Sequence, residues 1–172
     1  PISCAACQAK QVLLSSMADS FCPLVTVYIP TKNRAQLVCE AVESVLGQTY
    51  PHVEVIVSVD GATDNTVDAL QAIQARDARL QVIVFNQSGG APRARNAAIR
   101  AARGQFITGL DDDDKFLPCR VEAFVSFWPL LLQCGQQPAF LYAQDLFFDG
   151  QTTRSSAKLT GVRLLQLCQS NR

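Results

Sequence analysis

Histidine is almost missing from this sequence: His52 is the single one among 172 residues. That removes support for Ser-His-Asp and Cys-His nucleophile arrangements, and for zinc sites built on imidazole. Neither sign of charge prevails. Fifteen Lys and Arg balance fifteen Asp and Glu, whereas nucleic-acid binders usually carry a marked basic excess. Nucleic acid is therefore not an expected partner, although Arg93, Arg95, Arg100 and Arg103 could form a local basic patch. Apolar runs stay well short of the ~20 residues that a membrane helix needs. No transmembrane segment is expected, and any membrane association would be peripheral. Residues Pro1 to Gln8 lack the basic start and long apolar stretch of a signal peptide. The chain begins with Pro and not Met, which reads as trimming at that end.

Regular cysteine spacing is also lacking. There are seven cysteines, an odd number, and only Cys4 and Cys7 form a Cys-x-x-Cys pair. A zinc site normally wants two such pairs or added histidines. The pattern fits reduced thiols in a cytoplasmic protein better than a secreted disulfide scaffold, with a metal or redox role for the pair as the alternative.

What is present is a core and an alternation. Apolar residues make up 48% and charged residues 17%, enough for one domain of ordinary size. Val25 to Ile29 reads as a buried strand stopped at Pro30. Asn33 can cap a helix whose inner face is Leu37, Ala41 and Val45, with Val38 and Val42 beside them, and Gly47 ends it. Strands at 53–59, 80–85 and 105–110 alternate with helices from about Asn65, using Val67, Leu70 and Ile73, and from Pro92 to Arg103. The order β-α-β-α-β-α-β predicts an α/β fold, a mostly parallel twisted sheet flanked by helices. Beyond it, 121–132 reads as a helix with an aromatic face (Phe124, Phe127, Trp128, Leu131). A strand follows at 140–148, then a turn at Asp149-Gly150 and a short helix at 159–168.

Ligands of such sheets bind beyond the carboxyl ends of the strands. Three polar clusters fall there: Thr31 to Arg34, Asp60 to Asp64, and Asp111 to Asp114. The four adjacent aspartates are costly together, since at an effective dielectric of ~20 two charges ~5 Å apart repel by roughly 3 kcal/mol. In extended chain Asp111 and Asp113 would point one way and Asp112 and Asp114 the other. Such an Asp-x-Asp can offer two hard oxygens to Mn²⁺ or Mg²⁺, with phosphate oxygens completing the shell. The same run also reads as a solvated acidic turn that caps the next helix. Asp60, followed by Gly61, could accept from a ribose hydroxyl or a base N–H, or serve as a turn residue. Asp64-Asn65 reads as a helix cap. Gly89-Gly90 precede a helix carrying Arg93 and Arg95, a place where backbone and guanidinium could meet phosphate, or simply a flexible loop. Neither a P-loop nor a Gly-x-Gly-x-x-Gly follows the first strand.

In order and spacing, residues 23–118 resemble family 2 glycosyltransferases of the GT-A fold, a Rossmann-like architecture. The resemblance is carried by Pro30-Thr31-Lys32-Asn33-Arg34, by Ser44-Val45-Leu46 with Gln48-Thr49-Tyr50, and by Glu54 to Asp60 with Gly61-Ala62-Thr63-Asp64-Asn65-Thr66. Ala94-Arg95-Asn96 and the block from Gly104 through Asp114 to Pro118 complete it. It implies a nucleotide-diphosphate sugar donor, most often a UDP-sugar, a saccharide or lipid-linked acceptor, and Mn²⁺ or Mg²⁺. It puts Pro30 and Thr31 against the base, Asp60 in hydrogen bond to it, and Arg95 and Asn96 beneath the nucleotide loop. Asp111 and Asp112 would face the ribose and sugar, and Asp113, with Asp111, would hold the metal. Transfer in the family is usually inverting, and it serves cell-surface polysaccharide or glycolipid synthesis, here at the inner face of the membrane.

The departures are Lys32 in place of an aromatic residue and Val59 in place of an acid. No catalytic base is identified, Asp145 and Asp149 being weak candidates. Residues 1–22 then read as an N-terminal extension with helical potential, 23–118 as the nucleotide-sugar-binding core, and 119–172 as the start of a truncated acceptor-side region. A nucleotidyltransferase is the first rival, but it should carry a glycine-rich first loop. The second is a non-catalytic nucleotide-binding module.

Overall fold

Strands and helices alternate from Val25 onward in the computed structural model, which describes residues 21–136, 138–141, 146–148 and 153–155. The strands β1 (Val25–Thr31), β2 (Val53–Asp60), β3 (Leu80–Phe85) and β4 (Phe106–Gly109) are separated in turn by α1 (Ala35–Leu46), α2 (Thr66–Gln74) and α3 (Ala91–Ala101). Then come α4 (Arg120–Gln133), β5 (Leu146–Phe148) and β6 (Thr153–Ser155). Two compact units divide between Ser126 and Phe127, within α4.

In the first unit the sheet order is β3-β2-β1-β4, every pair parallel. The α/β, mostly parallel architecture predicted from the alternation is therefore present. β2 is buried at all eight positions, as a central parallel strand covered on both faces should be. Its odd-numbered valines, Val53 to Val59, pack with Val38, Ala41, Val42 and Val45 of α1 and with Leu70 and Ile73 of α2. Ile56 alternates to the other face. There α3 crosses β1 and β2 with its small residues Ala94 and Ala98 buried. Right-handed crossovers account for this division. The chain steps one way from β1 to β3 and then back across β2 and β1 to β4, so the order reverses between β1 and β4.

Several local expectations need correction. Leu37 is 42% exposed, because the buried stripe of α1 runs through 38, 41, 42 and 45 and Leu37 lies roughly a quarter-turn off its midline. Asn33 does not cap α1. It sits at φ 53°, Arg34 holds the cap position, and Asn33 Oδ1 accepts from Thr63 N–H at 2.7 Å. α3 stops at Ala101 because Ala102 turns extended. In α4 the buried residues of the first unit are Val121 and Val125 rather than the aromatics, with Phe124 under the Arg120 guanidinium.

In the second unit α4 ends in a Schellman motif. Gly135, at φ 72°, donates to Leu132 and Gln136 donates to Leu131. The strand expected over 140–148 is confined to β5 among the described residues, and it pairs antiparallel with the unforeseen β6. The expected N-terminal helical segment up to residue 20, Cys4 and Cys7, Asp145, the 149–150 turn and the 159–168 helix lie outside the described residues.

Candidate functional site

The reversal of strand order opens a cleft of about 460 Å³ beyond the carboxyl ends of β1, β2 and β4. Pro30, Thr31, Lys32 and Arg34 line it from β1 and the following loop, and Asp60 lines it from β2. Ser88, Gly90, Ala91, Ala94 and Arg95 come from the start of α3, while Asp111, Asp112 and Asp113 come from the segment after β4. Nine residues singled out from the sequence therefore converge: Pro30, Thr31, Arg34, Asp60, Gly90, Arg95, Asp111, Asp112 and Asp113. Asn33, Gly61, Arg93 and Asn96 do not line the cleft. Asn33 ties the first loop to Thr63. Arg93 donates to the Gln87 carbonyl and lies 4.2 Å over the Phe85 ring, and Asn96 is exposed on α3. At Gly61 the loop at 87–88 comes close: a Cβ there would lie 2.6 Å from Ser88 N, on a backbone of φ +66°. A side chain at this position is excluded on both counts.

Asp60 is 5% exposed. Its Oδ1 accepts from Gly89 N–H at 2.7 Å, and its Oδ2 from Ser88 Oγ at 2.6 Å and Gly90 N–H at 2.8 Å. The Gly89 N–H, the Ser88 hydroxyl and the Gly90 N–H, with the Lys32 charge, hold this carboxyl below its ordinary range against the opposing effect of burial. Asp60 thus moulds the loop that leads into α3, whose N-terminus carries the positive end of the helix dipole. Asp64 accepts from the Thr66 N–H at 3.0 Å, the capping role expected of it at the start of α2.

The acidic run does not continue the strand. Leu110 N–H still donates to Tyr28, but Asp114 N–H closes a turn onto the Asp111 carbonyl at 3.1 Å. Strict alternation is lost, yet Asp112 alone turns inward. Its Oδ2 accepts from Thr31 Oγ1 at 2.7 Å and its Oδ1 from Arg34 Nη1 at 2.9 Å. Arg34 Nη1 also reaches Asp113 Oδ2 at 3.1 Å, and Arg95 Nη2 reaches Asp111 Oδ1 at 3.0 Å. The bond that Arg34 donates to Asp112, with the charges of Asp112 and Asp113, raises the Arg34 pKa above its ordinary value.

The chemistry of this donor set suits a hard divalent cation. Asp111 and Asp113 are exposed oxygen donors, and Mg²⁺-like ions usually take one or two carboxylates plus water and substrate phosphates. Among the described residues no cluster of three or more potential ligands exists that would hold a metal by protein groups alone. Arginines beside the carboxylates, and a helix N-terminus opposite, suit an anion in the same space. Ser88, Ala91 and Ala94 were not foreseen in the lining. Only the Ser-Gly-Gly run before a helix could have signalled Ser88.

Residues 26–130 match the family described as Glycosyl transferase family 2. Over 138 residues the chain is 38% identical to WcaA of Escherichia coli K12, named a glycosyl transferase of colanic acid biosynthesis; this covers 80% of the chain but 48% of WcaA. Two solved structures share its architecture. S. aureus TarS 1-349 in complex with UDP-GlcNAc has a TM-score of 0.59 and 26% identity over 62% of this chain and 31% of that one. Mannosyltransferase PcManGT from Pyrobaculum calidifontis, in complex with GDP-Man and Mn²⁺, has a TM-score of 0.56 and 26% identity over 74% and 41%. The chain thus spans under half the length of these proteins.

Proposed function

Because this chain belongs to glycosyl transferase family 2, we propose that it forms the donor-binding part of an enzyme that moves a sugar from a nucleotide diphosphate to a hydroxyl acceptor. The observation that carries this reading is the cleft itself. Asp60 from the end of β2, Asp111 to Asp113 from the segment after β4, and the arginines Arg34 and Arg95 converge on the space beyond the strand ends, facing the N-terminus of α3. The donor is a UDP-sugar, transfer is inverting, and the product belongs to cell-surface polysaccharide or glycolipid. Support for the donor class comes from the UDP-GlcNAc and GDP-Man complexes of the structural neighbours, and for the pathway class from the colanic acid assignment of WcaA.

Within the cleft, Pro30 and Thr31 lie toward the base, and Asp60 faces it while shaping the loop at 88–90. Asn33, Gly61, Arg93 and Asn96 act from outside the lining by holding the loops. Asp111 and Asp112 lie on the ribose and sugar side. Asp113, with Asp111, holds Mn²⁺ or Mg²⁺, which when bound offsets the negative charge of the departing diphosphate. Arg34 and Arg95 add fixed positive charge beside the same phosphates. No helix among the described residues is long and apolar enough to cross a membrane. The enzyme works in the cytoplasm, at the inner membrane face where a lipid-linked acceptor would be presented.

Isothermal titration with UDP tests this reading. Binding is expected with Mn²⁺ and is expected to weaken without it. Folded protein that takes no nucleoside diphosphate under either condition would overturn it.

A further inference from the structure

Arg34 stands between two carboxylates of different depth. The Asp112 side chain is 10% exposed and that of Asp113 is 54% exposed, and one nitrogen, Nη1, serves both at 2.9 and 3.1 Å. Asp112 is also held from its far side, where Thr31 at the end of β1 donates to the second oxygen. Both oxygens of Asp112 are therefore engaged with the protein. Asp113 touches Arg34 from the solvent side, on the turn closed by Asp114.

A guanidinium cannot lose its proton in a protein. Its charge must therefore be cancelled by another acid if a dication is to share Asp113. Asp112 is placed to do this, because it is fixed by two partners and largely removed from solvent screening. We propose that Asp112 is a positioning residue for the cation: it keeps the Arg34 guanidinium against the end of β1, leaving Asp113 able to turn from Arg34 to the metal. The inference rests on the reading of Asp113 and Asp111 as the cation-holding pair. It gives Asp112 a task distinct from contact with ribose or sugar, and it makes Arg34 a competitor of the cation that Asp112 restrains.

Water-proton relaxation titrations of the 172-residue chain with Mn²⁺ test the proposal, first with the cation alone, so that no phosphate is present for Arg34 to bind, and then with UDP, whose phosphates complete the cation's shell. Asp112→Asn keeps the shape and removes the charge, and it is expected to weaken Mn²⁺ binding about tenfold, the scale of one charge-assisted contact. Arg34→Gln is expected to tighten binding, and the double variant to return close to the wild-type affinity. Tightening by Arg34→Gln has the opposite sign to damage from misfolding. Mn²⁺ binding by Asp112→Asn as tight as wild type overturns the proposal, and so does weakening by Arg34→Gln. Should the wild-type chain take up no Mn²⁺, or Asp113→Ala take it up unchanged, the cation reading itself falls and the positioning role falls with it.

Discussion

At the amino-terminal edge of the sheet Glu54 is 4% exposed, and its two oxygens accept from Thr26 Oγ1, the Arg103 N–H and the Arg103 guanidinium at 2.6 to 2.9 Å. At the carboxyl edge the Asp111 and Asp113 side chains are 59% and 54% exposed, and each meets one arginine nitrogen. The ingredients are the same and the consequences differ. Desolvating Glu54 is costly, and only a full set of donors makes its burial tolerable. In return the network ties β1, β2 and the α3–β4 connection together, since Thr26 Oγ1 also accepts from Gly104 N–H. Asp111 and Asp113 keep their water. Exposed pairs of this kind contribute little to stability, which leaves them exchangeable for a ligand.

Removing the buried acid should have the largest effect. Glu54→Ala strands the Arg103 N–H and the Thr26 hydroxyl beneath the sheet, and about 3 kcal/mol of stability should be lost in urea unfolding. A loss comparable to that of a surface substitution would mean that this edge is no more committed than the cleft.

Acid should separate the buried acids from the exposed pair next. Burial pushes the Glu54 carboxyl up, but the bonds from Thr26 and Arg103 together outweigh it and hold the group below its ordinary value. Asp60 is depressed as well. A depressed native pKa means that the unfolded chain takes up protons first. The stabilisation is therefore intact above the unfolded carboxyl range and is lost as pH falls below about 4. Glu54→Gln should be less stable at pH 7 and should show a shallower acid limb. An unchanged limb would show that other carboxyls dominate acid unfolding.

The smallest effect on stability should come from the cleft. Asp113→Ala should shift unfolding by no more than about 0.5 kcal/mol, while the Mn²⁺-dependent part of UDP binding disappears. Retained metal dependence would move the cation to other residues; a large stability loss would erase the contrast between the two edges.

Much of this contrast was legible only in part. The acidic run, Asp60 and Arg95 could be placed at strand and helix ends from the alternation of elements, because apolar runs bounded by turn residues mark where strands stop. Which acid of the run would be buried was not legible. That depended on Asp114 closing a turn and on Thr31 and Arg34 meeting Asp112 from 78 residues or more away. Asn33 misled because Asn is a good N-cap by local rule, yet its left-handed backbone lets it bond Thr63 in the next loop. Gln48 matched a family block without an apparent task. In the fold its side chain donates to the Ser44 and Leu117 carbonyls and accepts from Val121 N–H, pinning the segment that follows the acidic turn.

By itself the sequence determined the element types, their order, the parallel sheet and the strand ends where ligands collect. All of these follow from local periodicity and from the handedness of crossovers. The acidic run was among those determined features, as a cluster whose charge called for a partner. Tertiary structure alone decided the pairing of each carboxylate: Glu54 with Arg103 below the sheet, Asp60 with the loop at 88–90, and Asp112 with Thr31 and Arg34 inside the cleft. Hydrogen bonds and desolvation depend on which groups meet across the chain, and composition and spacing carry no record of that.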